Sequence, residues 1–322
     1  MRLGYACINL ELKDLGIYST RTCILKTAHE RGIDYLRELA LANIHDLKQI
    51  LIHNEKCGYR FFRLTSNLFP HLGNPQLKGI RGYADYNMKF ASELLKSCGR
   101  YALDHGHRIT MHPGQYAQLG SPREEVVLQT IIDLTNHADL FVMMGLKPQY
   151  GSVMIIHGGG VFGDKLETLR RWKKNFLRLP EYVREFISLE NDEWSYSVKD
   201  LLGLSVDLNI PLCVDFFHHR IGHADNFDIF EPGLFQQILN TWKLRGIKPK
   251  CHLSDQNPDA RKGTHSDCID EIPYTVLKLC AENNIDIMLE VKQKDRCLLS
   301  VLERHFTKNV ISGRTEWILK GM

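Results

Sequence analysis

Eight times along this chain a short apolar run is followed by a stretch of helical periodicity, and that alternation restricts the fold more than any other feature. The strand candidates are residues 2–8, 59–65, 107–112, 152–156, 185–189, 211–215, 249–253 and 286–289. Helices are expected over 20–56, 84–105, 122–141, 166–179, 198–204, 231–244, 273–283 and 298–307. In the first of them Leu36, Leu39 and Leu47 recur at helical spacing and Gly58 ends the run. No linker or low-complexity segment interrupts the series. Strand–helix pairs at this count predict an α/β protein, one (β/α)8 barrel over residues 1–322, with its site where the strands end. A doubly wound open sheet is the competing topology. It is weakened because no glycine-rich dinucleotide fingerprint follows the first strand.

The chain has 322 residues, 43% of them hydrophobic, which is enough for one full-sized core. A net charge of +3 neither demands nor excludes nucleic acid, so polyanion binding has to be argued from local clusters. The nine cysteines form no CxxC pair, and Cys213 and Cys251 lie inside apolar strands. Reduced, buried thiols of an intracellular protein are expected rather than a disulfide framework. Met1-Arg-Leu-Gly-Tyr5 does not begin a signal peptide, and no run approaches membrane-spanning length, so the expectation is a soluble, intracellular protein.

The strand ends carry the chemistry. His112, His157, Glu190, Asp215, His252 and Glu290 close strands three to eight in turn. One strand-end histidine is usually a hydrogen-bonded structural residue, and one carboxylate is often a helix N-cap. Six in succession on one rim would be costly unless cations or a polar ligand satisfied them. Two further imidazoles have suitable spacing: His218, three residues after Asp215, and His265, on a loop with Arg261 and Lys262. Alternation puts Lys250 on the face of His252 and turns Cys251 away. Mixed His/Asp/Glu ligation suits Mn2+ or Zn2+, with Co2+ or Fe2+ as alternatives, whereas all-oxygen ligation would suit Mg2+. So many ligands imply more than one ion, with a carboxylate such as Glu190 bridging two cations in the arrangement used for in-line phosphoryl displacement. After His112 the chain breaks at Pro113-Gly114 and presents Gln115-Tyr116, an amide and a phenol on the tip of a rigid turn.

Assembled in this way, the chain closely resembles the UV damage endonuclease (UvdE-type) family of barrel-fold DNA repair nucleases. The resemblance rests on Leu3-Gly-Tyr5 with Asn9, Arg63-Leu-Thr-Ser66, Met111-His-Pro-Gly-Gln-Tyr116, His157-Gly-Gly-Gly160 with Gly163-Asp-Lys165, and Leu189-Glu-Asn-Asp192. It continues through Asp215-Phe-Phe-His-His219, Lys250-Cys-His252, His265, and Glu290 with Lys292. It implies that His112, His157, Glu190, Asp215, His218, His252, His265 and Glu290 hold two or three divalent ions, manganese being the expected metal and Zn2+, Co2+ or Mg2+ the alternatives. Glu190, Lys250 and Glu290 are expected to serve the reaction, with Lys250 either a phosphate-binding ammonium or, if a nearby cation lowers its pKa, a carboxylated side chain. Gln115 and Tyr116 resemble the family's probe residues, Tyr5 and Asn9 its contacts on the lesion side, and Arg261 and Lys262 are candidate phosphate contacts. The implied reaction cuts damaged double-stranded DNA immediately 5′ to a cyclobutane dimer or 6-4 photoproduct, by a protein expected to act as a monomer.

Three other functions compete. An abasic-site endonuclease of the endonuclease IV type and a metal-dependent sugar isomerase would share the fold. A damage-binding protein with a structural metal cluster would not need so many hydrolytically suited ligands. The Gln115-Tyr116 finger favours a macromolecular substrate.

Overall fold

A computed structural model describes residues 1–321. Eight four-residue strands form: β1 (Leu3–Ala6), β2 (Phe61–Leu64), β3 (Arg108–Met111), β4 (Met154–His157), β5 (Ile187–Glu190), β6 (Leu212–Asp215), β7 (Lys250–Leu253) and β8 (Asp286–Leu289). All pair in parallel in sequence order, and β1 closes on β8 to give the expected barrel. Helices cover its outside, which is how parallel strands, buried on both faces, are sequestered from water.

Period-2 alternation sorts each strand into an inward and an outward set. On β2, Phe62 joins the large core between barrel and helices with Leu47, Ile109, Phe141 and Leu189. Phe61 joins a small cluster with Ala6 and Met288, residues of the opposite face. Gly4 shares that inward face because a Cβ there would lie 2.5 Å from the Phe61 carbonyl oxygen and 2.7 Å from its ring. Arg63, His112, His157, Glu190, Asp215, Lys250, His252 and Glu290 all fall on the inward parity. Register then levels the strand ends: His157 pairs with Glu190 and Asp215 with His252.

The lower end, where the strands begin, is sealed by an ion pair. Arg108 Nη1 donates to Asp286 Oδ2 at 3.0 Å, and Lys248 Nζ donates to the other carboxylate oxygen at 2.6 Å. The remaining guanidinium donors go to the Gly151, Pro249 and Lys248 carbonyls.

Several elements differ from expectation. The first long helix, Leu25–Cys57, is kinked at Gly32, whose φ of +77° glycine tolerates without strain. The final helix, Lys294–His305, stops before a hairpin of β9 (Phe306–Ile311) and β10 (Arg314–Leu319), turning at Ser312-Gly313 with both residues at positive φ. That hairpin packs on the first long helix through Trp317 Nε1, which donates to the Cys57 carbonyl at 2.9 Å. The cysteine expectation needs a correction too. Cys213 and Cys251 are free and buried, but Cys268 and Cys297 are joined in a disulfide. The pair escaped sequence reasoning because neither cysteine lies in a strand; the loop after β7 packs on the final helix and brings them together. Among the described residues no helix is long and apolar enough to cross a membrane.

Candidate metal centre

Glu190 is the hub. Its Oε2 lies 2.9 Å from His112 Nε2 and 3.6 Å from His157 Nε2, while Oε1 contacts His252 Nδ1. His252 Nδ1 is also 3.1 Å from Glu290 Oε1, and Glu290 Oε2 is 3.8 Å from His265 Nδ1. On the other side His218 Nδ1 stands 3.8 Å from Asp215 Oδ2. Two overlapping groups have donor atoms that all lie within 4.8 Å of one another and share Glu190: His112, Glu190, His252 and Glu290, and Glu190, Asp215 and His218. These eight side chains, from six strand ends, the helix after β6 and the loop after β7, converge on one mouth of the barrel.

Local structure explains how each is aimed. Asp215 is the last residue of β6 and the N-cap of the helix Phe216–Gly222; its Oδ1 accepts from His218 N at 2.8 Å. Asn191 ties the strands together, donating Nδ2 to the Asp215 carbonyl and accepting the Asp215 N–H at 2.9 Å. Its own carbonyl sits 3.2 Å from His218 Nδ1, which leaves Nε2 of that ring as the free donor atom. After His112, the Gln115 carbonyl accepts from Gln118 Nε2 at 2.7 Å and Gln118 N donates to Thr130 Oγ1 at 3.0 Å, so the loop backbone is pinned.

Buried carboxylates and imidazoles crowd this mouth and perturb one another. Asp215 Oδ2 and His157 Nδ1 are buried with no hydrogen-bond partner among the described residues. An orphaned buried carboxylate oxygen is expensive unless something outside the chain satisfies it. Burial, then the negative charges of Glu190 and Glu290, raise the Asp215 carboxyl above its usual range, with His218 opposing. Burial disfavours charge on His218 also, but Asp215, Glu190 and Glu193 overcome it and its pKa rises to about 9. Burial lowers His252 to about 4, so this imidazole is neutral and can donate a lone pair. Burial likewise lowers Lys250, whose ammonium contacts His252 Nε2. The donor set of imidazoles and carboxylates, with a carboxylate shared between two groups, fits divalent metal.

The other sequence candidates fall in different places. Gln115 and Tyr116 lie on the pinned loop, with the Tyr116 side chain 83% exposed. Arg261 and Lys262 are exposed on the loop that carries His265. Tyr5 and Asn9 are corrected. Both are 0% exposed: Tyr5 lies on the outward parity of β1, its hydroxyl donates to Asn54 Oδ1 at 2.7 Å and accepts from Asn9 Nδ2 at 3.0 Å, and Asn9 caps a short helix at Leu12 N. Alternation along β1 cannot by itself say which of its faces meets the helices. A basic run, Arg170-Arg-Trp-Lys-Lys174, lies on the helix Lys165–Phe176 as an ordinary charged face: Arg170 pairs with Glu167, Lys173 with Asp207, and Trp172 is buried.

Three contributors had been given no role beforehand, although Arg63 and Asn191 lie in the quoted motifs. Arg63, on β2, forms an ion pair with Glu290 at the end of β8, the two strands that flank β1. Asn191 orients two ligands, and Glu193 Oε2 stands 3.7 Å from His218 Nε2. The parity of Arg63 on β2 was a readable signal; the distances were not.

Comparison with known proteins agrees with this geometry. The family described as UV-endonuclease UvdE matches residues 1–316. A provisionally named UV-damage endonuclease of Acanthamoeba polyphaga mimivirus is 46% identical over 99% of this chain and 96% of its own length. The UV-damage endonuclease of Schizosaccharomyces pombe is 36% identical over 96% of the chain, which spans only 51% of that longer protein. The crystal structure of SacUVDE superposes with a TM-score of 0.79 at 31% identity, covering 94% of this chain and 97% of that one. Endonuclease IV of Thermus thermophilus, at a TM-score of 0.50 and 14% identity over 76% of this chain and 87% of its own, shares the fold alone. The barrel, the convergent histidines and carboxylates, and these relatives together lead to one statement: the chain belongs to the UV-endonuclease UvdE family of DNA repair endonucleases.

Proposed function

We propose that this protein incises the phosphodiester backbone of double-stranded DNA immediately 5′ to UV photoproducts, cyclobutane dimers and 6-4 photoproducts among them, using two or three divalent cations, with Mn2+ the expected metal. The observation that carries the reading is the sharing of Glu190 between two donor groups, next to an exposed amide and phenol on a pinned loop. Divalent cations in such a site would neutralise charge on the phosphoryl group and its leaving oxygen during an in-line displacement.

The side chains have separable tasks. Glu190 keeps one oxygen toward His112 and His157 and the other toward His252, the geometry of a bridging carboxylate. Glu290 is steadied by Arg63, which keeps its charge balanced and its oxygens directed to His252 and His265. Lys250, held beneath His252, is suited to orient that ring and to contribute positive charge beside the phosphate. Gln115 and Tyr116 enter the duplex where nucleotides are displaced, and the pinned backbone makes them a rigid wedge. Damaged pairs cost less to unstack, so such a wedge selects by distortion rather than by sequence. Arg261 and Lys262 stand where phosphates flanking the cut would pass.

One assay tests the reading: incision of irradiated, abasic and undamaged duplexes, with manganese and with chelator. Manganese-dependent cutting 5′ to the lesion in the irradiated duplex is expected, leaving a 3′-hydroxyl. Cutting confined to the abasic duplex would replace this reading with the endonuclease IV type.

A further inference from the structure

The turn after β5 carries a side chain that the metal site does not use. Trp194 is 66% exposed, although tryptophan buries more apolar surface than any other residue. It lines a cleft of about 430 Å3 with His157, His218, His265 and Glu290, and Pro113, Gly114 and Gln115 line the same cleft. The turn is fixed: Asp192 accepts from Trp194 N at 2.8 Å, from Ser195 N, and from Tyr196 N at 3.1 Å. Lys262 Nζ, from the loop that bears His265, stands 4.9 Å from the indole centroid. An aromatic ring with an ammonium over one face, on a rigid mount in the same cleft as metal-binding residues, matches the physics of single-strand recognition on its other face. Bases stack on the ring whatever their identity, and the cation attracts the adjoining phosphate.

We propose that Trp194 and Lys262 form a stacking platform for one nucleobase of the strand being cut, in the cleft that Gln115 also lines. The inference rests on the proposed function and adds a contact to it. A displaced nucleotide would meet two elements, one a wedge that opens the duplex and one a ring that receives an unstacked base. Because every base has a π-face, the platform would add affinity without sequence preference.

The test exploits the small number of tryptophans. The chain has four; Trp172 and Trp242 are buried and Trp317 is half-buried against the first long helix. Quenching of tryptophan emission by a duplex with a single cyclobutane dimer should therefore report mainly on Trp194, and it should vanish in Trp194→Phe. That variant should keep most of the affinity, whereas Trp194→Ala should raise KM for the same duplex about tenfold with kcat changed less. Lys262→Met should weaken binding less and lower the salt-dependence slope by about one. Normal incision by the wild type, with unquenched emission and an unchanged KM for Trp194→Ala, overturns the platform alone. A wild type that cuts no damaged duplex overturns the proposed function, and the platform with it. Should Trp194→Ala fold poorly, quenching in the wild type and its loss in Trp194→Phe still decide.

Discussion

At the lower end of the barrel Arg108 and Asp286 are buried together, and at the upper end Asp215 is buried beside Glu190 and Glu290. Both ends hold fully buried carboxylates, yet their surroundings are opposite. Asp286 receives Arg108, Lys248 and the Arg2 N–H, so its oxygens are satisfied by the chain itself. Asp215 has one oxygen engaged as a helix cap and the other left without a partner among the described residues. The lower pair therefore contributes to a closed structure, while the upper cluster leaves a buried carboxylate oxygen without a hydrogen bond among the described residues. Buried charge alone does not mark a site; buried charge that the protein leaves unsatisfied does.

The same substitution at the two ends is the sharpest way to break this contrast. Asp286→Asn leaves Arg108 and Lys248 facing a neutral amide and should destabilise the protein by about 3–5 kcal/mol in urea denaturation, with metal content unchanged. A loss below about 1 kcal/mol would show that the lower pair is not the seal it resembles. Asp215→Asn should keep the helix cap and relieve repulsion with Glu190 and Glu290. Its metal-free stability should match or exceed the wild type, while incision of irradiated duplex falls by about a hundredfold or more, at least as much as the loss of a partner that merely orients a ligand. Destabilisation of the metal-free protein comparable to that of Asp286→Asn would erase the distinction.

Linkage gives the next effect in size. A divalent ion at a hundred times its Kd should stabilise the wild type by about 2.7 kcal/mol, reversibly on adding chelator, and Asp215→Asn should gain less. A melting temperature indifferent to Mn2+, Zn2+ and Co2+ would count against the upper cluster as a metal centre. The smallest effect belongs to the exposed loop. Gln115→Ala or Tyr116→Ala should weaken damaged-duplex binding about tenfold, within the range for loss of a stacking contact, and leave metal content and melting temperature alone. Equal binding by these variants would remove the wedge from the account.

Much of the site was readable because a barrel turns a one-dimensional pattern into a ring. A polar residue ending an apolar strand must emerge at the same mouth as its neighbours, so His112, His157, Glu190, Asp215, His252 and Glu290 could be grouped before any distance was known. Tyr5 shows where that logic stops. Period 2 assigned it a face, but the inward face of β1 was decided by the Phe61 ring, which leaves room only for glycine at position 4. The pairing of Cys268 with Cys297 and the position of Trp194 beside Lys262 were equally illegible, since each depends on how one loop lies on another element.

What the sequence determined by itself was the succession of strands and helices, the parity of each strand, and hence which side chains close the barrel at its upper mouth. Those are local properties, set by spacing along the backbone. The tertiary structure alone decided that Tyr5 on β1 faces the helices, that Arg108 finds Asp286 across 178 residues, and that Asp215 keeps an oxygen with no hydrogen-bond partner among the described residues. These depend on closure of the sheet and on packing between segments far apart in the chain, where a shift of one residue in register would redirect every side chain.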